Sequence, residues 1–216
     1  MKSRLLITFL GLLTGVNLAH GALITLVIQA PDDLVFQQTA ASPCVIGGQN
    51  CLNGGFPYTV AGSGGGGTEF DETSPLYSLT DVTDITQSVN FTIAIDYNDS
   101  AEAQILRLFE AEYFSDAAGT TSIGTDTYTG PTVLTTNNNG VGFSDFLLQG
   151  FMAPIGTQSI IFNAQWFNTD GPDRYFLVAG DADPVPNPVP EPSACLLLGA
   201  GLFATGWLGR RRAGVK

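Results

Sequence analysis

The sequence predicts an all-β domain over residues 22–180, either a β-sandwich or a jelly-roll-like fold. Two segments, Val89–Tyr97 and Ser159–Phe167, alternate apolar and polar side chains with the period of two that a half-buried strand requires. Turn signals such as Asn139-Gly140 and Asp170-Gly171-Pro172 lie between the apolar segments. Short strands separated by turns are typical of two antiparallel sheets packed together.

The first 21 residues have the pattern of a secretory signal peptide. A positively charged start, Lys2 and Arg4, precedes an uncharged apolar run. Small residues at Ala19 and Gly21 predict cleavage after Gly21, and cleavage after Ala22 is the alternative. An uncleaved membrane anchor is another interpretation, but the apolar run is short for a span of about 20 residues. We therefore expect the chain from residue 22 onward to be exported.

Three further segments, rich in β-branched and aromatic residues, are candidate strands: Leu23–Ile28, Pro57–Val60 and Arg174–Ala179. The segment Ala101–Phe114 is ambiguous. Good helix formers fill it, and Asp99 with Glu102 resembles a helix capping box. Its apolar residues also alternate with polar or small ones, and we favour a strand because the surrounding chain is β.

The C-terminal region divides into three parts. Residues 181–192 contain five prolines and predict an extended spacer. Residues 193–209 carry no charge and predict a transmembrane helix near the lower limit of length. Residues 210–216 begin with Arg210, Arg211 and Arg212, which predict a cytoplasmic basic tail. The alternative is a buried helix of a soluble domain, but such helices seldom end on three arginines.

Together these parts resemble the PEP-CTERM sorting signal, which consists of a Val-Pro-Glu-Pro motif, a transmembrane stretch and a basic end. The motif residues are Val189, Pro190, Glu191 and Pro192, and the three arginines follow the apolar stretch. The resemblance implies recognition by an exosortase, a membrane transpeptidase-like enzyme, and cleavage near the motif. It also implies transfer to the envelope or to extracellular polymer in a Gram-negative bacterium that makes exopolysaccharide.

Charge and cysteine content agree with export. Residues 22–190 hold 19 acidic side chains against 2 basic ones, a net charge of −17. Such a surface repels nucleic acid and anionic lipid, suits a solvated extracellular protein and attracts divalent cations. Cys44 and Cys51 are the only cysteines of this part, and an oxidising compartment predicts a disulfide between them.

The residue inventory excludes several kinds of catalytic site. The single histidine, His20, lies in the signal peptide, so the mature chain can form neither a Ser-His-Asp triad nor a histidine-ligated metal site. A pair of carboxylates, as in glycoside hydrolases, stays open. Its candidates are Glu69, Asp71, Glu72, Glu110 and Glu112.

Calcium is the one cofactor that the sequence brings into consideration. The run from Asp96 resembles the start of an EF-hand loop, but Ala101 and Arg107 occupy the positions that require glycine and glutamate. A looser site could use Asp96 with Asp99, or Asn138 with Asp145. The alternative is that these residues form turns, and we expect no bound metal or other cofactor.

Sugar binding requires exposed aromatic side chains. Trp166 lies in an alternating strand and is expected in the core, whereas Tyr58, Tyr77 and Tyr128 are expected nearer loops.

The sequence therefore predicts a membrane-anchored precursor that ends in the envelope, on the cell surface or in the extracellular matrix. Its partners would be an exosortase, the membrane before processing and exopolysaccharide, where the protein would have a structural or adhesive role without catalysis. The alternative is a secreted carbohydrate-binding protein or a two-carboxylate glycoside hydrolase.

Overall fold

The computed structural model describes residues 22–29, 36–62, 67–97, 104–134, 141–168 and 172–178. The described residues form eleven strands and one helix, α1 (Leu79–Thr86). The strands are β1 Thr25–Ile28, β2 Cys44–Gly47, β3 Thr59–Val60, β4 Thr68–Thr73, β5 Tyr77–Ser78, β6 Asn90–Asp96, β7 Gln104–Phe114, β8 Ser122–Leu134, β9 Phe146–Met152, β10 Ser159–Asn168 and β11 Arg174–Val178. The predicted all-β class is confirmed for these residues.

The strands form two sheets. The first sheet has the order β1-β9-β6-β11-β2-β3, and the second has the order β4-β10-β7-β8 with β5 added beside β10. All neighbours are antiparallel except β2 and β3, which are parallel. Because neighbouring strands in space are mostly distant in sequence, the register is decided by long-range packing and not by short hairpins.

Eight of these strands pair in a nested pattern. The outermost pair in sequence is β2 with β11, followed inward by β4 with β10, β6 with β9 and β7 with β8. Two further contacts, β6 with β11 and β7 with β10, join the nested pairs into the two sheets. This is the strand arrangement of a jelly roll, in which two Greek keys fold a long antiparallel ribbon onto itself.

An aromatic core lies between the two sheets. Trp166 of the second sheet is 1% exposed and stacks on Phe70 with ring centroids 4.8 Å apart. Phe109 of the second sheet stacks on Tyr175 of the first at 5.4 Å. Burial of such large side chains is the main favourable contribution to folding. The predicted core position of Trp166 therefore agrees with the structure.

Of the ambiguous segment, the described residues 104–114 form the strand β7, and residues 101–103 lie outside the described residues. Its alternate side chains Leu106, Phe109, Ala111 and Tyr113 are fully buried in the core. The alternation shifts by one residue between Leu106 and Leu108, where the register with β8 is irregular. Both edges of β7 are hydrogen-bonded, to β8 and β10, and these long-range partners outweigh the helix propensity of the segment.

Helix α1 was not predicted from the sequence. Its N-terminus is a capping box in which the Ser78 hydroxyl accepts a hydrogen bond from the Asp81 backbone at 3.1 Å, and the Asp81 carboxylate accepts one from the Ser78 backbone at 3.1 Å. Its C-terminal cap, Gln87, has a positive φ of 59°. The Ser78-x-x-Asp81 pattern was the available signal.

The predicted signal peptide and the predicted transmembrane segment, residues 193–209, lie outside the described residues. Within the described part of the chain, no helix has the length and apolar character needed to span a membrane.

Candidate functional site

A row of polar side chains crosses the outer face of the second sheet. Thr73 donates its hydroxyl hydrogen to the side-chain oxygen of Asn163, Oδ1, at 2.8 Å, and the side-chain nitrogen Nδ2 of Asn163 donates to Glu110 at 3.2 Å. Thr127 donates to the second oxygen of Glu110 at 3.3 Å. These four residues occupy matching register positions on β4, β10, β7 and β8. We call this row the polar ladder (Thr73, Asn163, Glu110 and Thr127).

The candidate catalytic carboxylates are all on β4 and β7. Period-two alternation places Glu69, Asp71, Glu110 and Glu112 on the outer face of the second sheet, whereas Glu72 falls on the side of β4 shared with Phe70. Asp71 accepts a hydrogen bond from Gln165 at 3.3 Å. The outer face therefore presents carboxylates, amides and hydroxyls across four strands.

Glu69 forms an exposed ion pair with Arg107. The guanidinium donates two hydrogen bonds to the carboxylate, at 2.9 and 2.5 Å. Hydrogen bonding to Glu69 and its negative charge raise the pKa of the Arg107 guanidinium. One of the two cationic side chains of residues 22–190 is thus already paired with a carboxylate on this face.

Aromatic side chains do not form an exposed platform on the described residues. Tyr77, expected near a loop, is instead 1% exposed and stacks on Phe56 at 5.0 Å. Tyr58 and Tyr128 are half-buried against the apolar clusters. The tyrosines that the sequence places near loops are therefore fully or partly buried.

The side chains of two calcium candidates, Asp96 and Asp145, accept hydrogen bonds from other groups of the protein. Asp96 is fully buried, and its Oδ2 accepts hydrogen bonds from the Arg174 guanidinium at 2.6 Å and the Gly142 amide at 2.7 Å. Burial raises the pKa of the Asp96 carboxyl, and the Gly142 amide and Arg174 oppose that shift. Asp145 accepts a hydrogen bond from the Tyr97 amide at 2.9 Å.

The remaining calcium candidates, Asp99 and Asn138, lie outside the described residues. The described part of the chain holds no group of three or more His, Cys, Asp or Glu side chains placed to bind a metal ion. The expectation that no metal is bound therefore stays a prediction, and the two described carboxylates both accept hydrogen bonds from the protein.

Cys44 and Cys51 form the predicted disulfide, with their Cα atoms 6.2 Å apart. The loop that it closes is held by Asn53, a residue that sequence reasoning did not single out. The Asn53 side chain accepts a hydrogen bond from the Cys44 amide and donates one to the Cys44 carbonyl, both at 2.9 Å. These two hydrogen bonds fasten the loop after β2 to that strand.

A second buried carboxylate, Asp126 on β8, was also missed. It accepts hydrogen bonds from the Ala22 backbone nitrogen at 2.7 Å, the Tyr113 hydroxyl at 2.7 Å and the Met152 amide at 3.0 Å. Burial, and then the Asp126 charge, raise the pKa of the Tyr113 hydroxyl. Asp126 lies among threonines in the sequence, so nothing local distinguished it from an exposed strand residue.

Comparison with known proteins finds a match at the C-terminus. Residues 188–212 match the family model of the PEP-CTERM protein-sorting motif. No curated protein and no solved structure matches the chain. The matched range includes Val189, Pro190, Glu191 and Pro192 and ends with Arg210, Arg211 and Arg212, all of which lie outside the described residues.

The chain therefore carries a PEP-CTERM protein-sorting motif at its C-terminus, which is consistent with a substrate of exosortase-type sorting. This motif implies an exported precursor that passes the membrane and is later on the cell surface.

Proposed function

We propose that the protein is a structural or adhesive component of the extracellular polysaccharide matrix, delivered to the surface by its sorting motif and acting without catalysis. The sorting motif at residues 188–212 carries the proposal, because it commits the chain to the cell surface. The disulfide and the acidic composition support a solvated, oxidising destination.

The polar ladder supports contact with polysaccharide. Its carboxylate, amide and hydroxyl groups are half-buried to exposed and stand in one line across four strands. Sugars present hydroxyls that both donate and accept hydrogen bonds, and these groups offer the complementary atoms. Each such hydrogen bond replaces hydrogen bonds that both partners would make with water, so each adds little affinity. A long polymer binds through many of them at once.

The second candidate is a two-carboxylate glycoside hydrolase. The observation in its favour is that Glu69, Asp71, Glu110 and Glu112 share one face of the second sheet. Against it, Glu69 is paired with Arg107 and Glu110 holds two neighbouring side chains of the ladder.

The test uses the producing bacterium and compares three forms of the full-length protein. With Pro190, Glu191 and Pro192 replaced by Ala, we expect a full-length precursor in the inner membrane, because the motif is what the processing enzyme reads. With Asn163→Ala, we expect normal processing but several-fold weaker retention in the polymer, because the ladder loses its central residue. Cell fractionation and immunoblotting measure both effects.

Two matched controls accompany these variants. The control for the motif variant replaces Pro184, Pro186 and Asn187 with Ala, three residues outside the matched motif. The control for Asn163→Ala is Asn50→Ala, which removes an exposed side-chain amide far from the ladder in sequence. Normal processing of the motif variant would overturn sorting by exosortase. Retention of Asn163→Ala equal to the wild type would overturn the role of the ladder, and release of reducing sugar ends by the exported protein would favour the hydrolase.

A further inference from the structure

Asp126 is a buried carboxylate, and no cationic side chain of the described residues lies beside it. Its side chain is 0% exposed, and its three donors are two backbone nitrogens and the Tyr113 hydroxyl. Buried carboxylates in proteins are normally paired with a positive charge as well as hydrogen-bonded, because removing the charge from water is costly.

The exported chain has no side chain left to provide that charge. Residues 22–190 contain only two cations, Arg107 and Arg174. Arg107 is bound to Glu69, and Arg174 is bound to Asp96 at 2.6 Å. No lysine or histidine lies in this range. A counter-charge for Asp126 from this part of the chain would therefore be a chain terminus and not a side chain.

We propose that removal of the signal peptide after Gly21 makes Ala22 the first residue and that its α-ammonium forms a buried ion pair with Asp126. In the cleavage, a membrane signal peptidase uses one water molecule to break the bond between the Gly21 carbonyl and the Ala22 nitrogen. Gly21 keeps the oxygen as a carboxylate, and the Ala22 nitrogen takes up the protons and becomes the ammonium.

The geometry is already in place for this pair. The Ala22 nitrogen lies 2.7 Å from Asp126 Oδ1, so the atom that gains the charge contacts the carboxylate without moving. Ala22 is partly buried against the main core, and the bridge between Leu23 and Thr127 holds the start of the chain beside β8. In the uncleaved chain, the Ala22 nitrogen belongs to a neutral amide and donates one ordinary hydrogen bond to Asp126. After cleavage, the ammonium donates a stronger, charge-assisted hydrogen bond to the same carboxylate.

The same contact distinguishes the two candidate cleavage sites. Cleavage after Ala22 would remove the nitrogen that reaches Asp126 and would leave the carboxylate with the Tyr113 hydroxyl and the Met152 amide alone. Leu23 is 76% exposed and its backbone is bridged to Thr127, so its amine would begin at a different place. Cleavage after Gly21 is the one of the two that completes the environment of Asp126.

The experiment isolates the protein exported from the full-length gene and measures both the first residue and the reactivity of its amine. Endoproteinase Asp-N, which cleaves before Asp32, releases the N-terminal peptide for mass spectrometry. Because residues 22–190 lack lysine, an amine-acylating ester modifies only the α-amine in this part of the folded protein, and Lys216 falls in a separate peptide. We compare the wild type with Asp126→Asn and with the control Asp71→Asn, an exposed carboxylate on β4.

We expect Ala22 as the first residue and acylation about tenfold slower in the wild type and in Asp71→Asn than in Asp126→Asn. Tenfold is the loss of reactive free amine when an ammonium is stabilised by about one pKa unit. If Asp126→Asn does not fold, a chain with one Ser inserted before Ala22 keeps the carboxylate and displaces the ammonium, and its amine should react at the faster rate. A mature chain beginning at any other residue, or equal acylation rates in the wild type and in the folded comparison variant, would overturn the proposal.

Discussion

Asp96 and Arg174 lie directly opposite each other on β6 and β11 and form a buried ion pair. The Asp96 side chain is fully buried and the Arg174 side chain is 10% exposed. The pKa of Asp96 is raised despite this partner, so the cost of burial exceeds the help that Arg174 provides. Asp96 therefore favours the folded state most below its ordinary pKa, and this contribution is lost as pH rises through the raised pKa.

Arg174→Met should lower the free energy of unfolding by about 3 kcal/mol near pH 8, because it leaves a buried carboxylate without its cation. The loss should be smaller near pH 4, where Asp96 can be protonated in the folded protein. The double variant Asp96→Leu with Arg174→Met should recover most of the loss. Urea unfolding at the two pH values measures the changes.

Arg107→Met is the matched control, because it breaks the other ion pair, in which the Arg107 and Glu69 side chains are 44% and 58% exposed. Solvent screens such a pair, so we expect only a small change in the urea midpoint. A double variant as unstable as Arg174→Met alone would contradict the burial argument.

At the scale of the element, strand β2 is held by both its sheet and the disulfide. All four of its residues are buried, and it pairs with β11 on one edge and β3 on the other. Gly47, its last residue, lies against the disulfide. A Cβ added there would be 2.8 Å from Cys51 Sγ and 3.3 Å from Cys44 Sγ. The glycine is thus required by close approach to the sulfur atoms.

Gly47→Ala should destabilise the oxidised protein by about 1–3 kcal/mol, the usual loss on overpacking a core. The disulfide prevents Cys51 Sγ from rotating away, so the loss should shrink when both cysteines are replaced by Ser. Gly62→Ala is the control, since a Cβ at Gly62 would meet nothing within 4 Å. Urea midpoints compare the variants, and similar losses at Gly47 and Gly62 would rule out the contact as the cause.

At the scale of the whole molecule, strand pairing brings the start of β1 and the end of β11 to one end of the sandwich. Thr25 pairs with Gln149 and Val178 pairs with Thr92, near the Asn90–Met152 pair. Ala22 contacts the same region through Asp126, which also binds the Met152 amide. The first strand, β1, thus begins and the last strand, β11, ends at the end of the sandwich opposite Asp96.

The net charge of −17 over residues 22–190 stores self-repulsion that only Arg107 and Arg174 offset locally. We expect the melting temperature of the exported protein to rise with sodium chloride, because the Debye length falls from about 30 Å at 0.01 M to about 10 Å at 0.1 M. Calcium chloride at equal ionic strength should give the same melting temperature, because Asp96 and Asp145 already accept hydrogen bonds from the protein.

Thermal melts in matched salts make this comparison. A rise specific to millimolar calcium, lost in Asp96→Ala or Asp145→Ala, would refute the second expectation and place a calcium site at these residues, since a bound ion stabilises by mass action.

Local patterns in the sequence determined the strand character, the disulfide and the sorting route. The alternation in Val89–Tyr97 correctly placed Phe91 and Ile93 in the core, because side-chain direction in a strand depends only on position along it. The predicted half-buried character was wrong, because Ala94 and Asp96 on the opposite face are also buried and Val89 is 45% exposed. The sorting motif is a short linear pattern and was recognised without any folded context.

Tertiary structure alone decided which strands pair and which polar residues are buried. Cys44 lies beside Phe176, and Asp126 receives the Ala22 nitrogen from 104 positions away. Pairing with β8 and β10 made the Gln104–Phe114 segment a strand despite its helix formers. The physical reason is that burial and hydrogen-bond partners depend on atoms brought together by the whole fold, whereas periodicity is contained in a few consecutive residues.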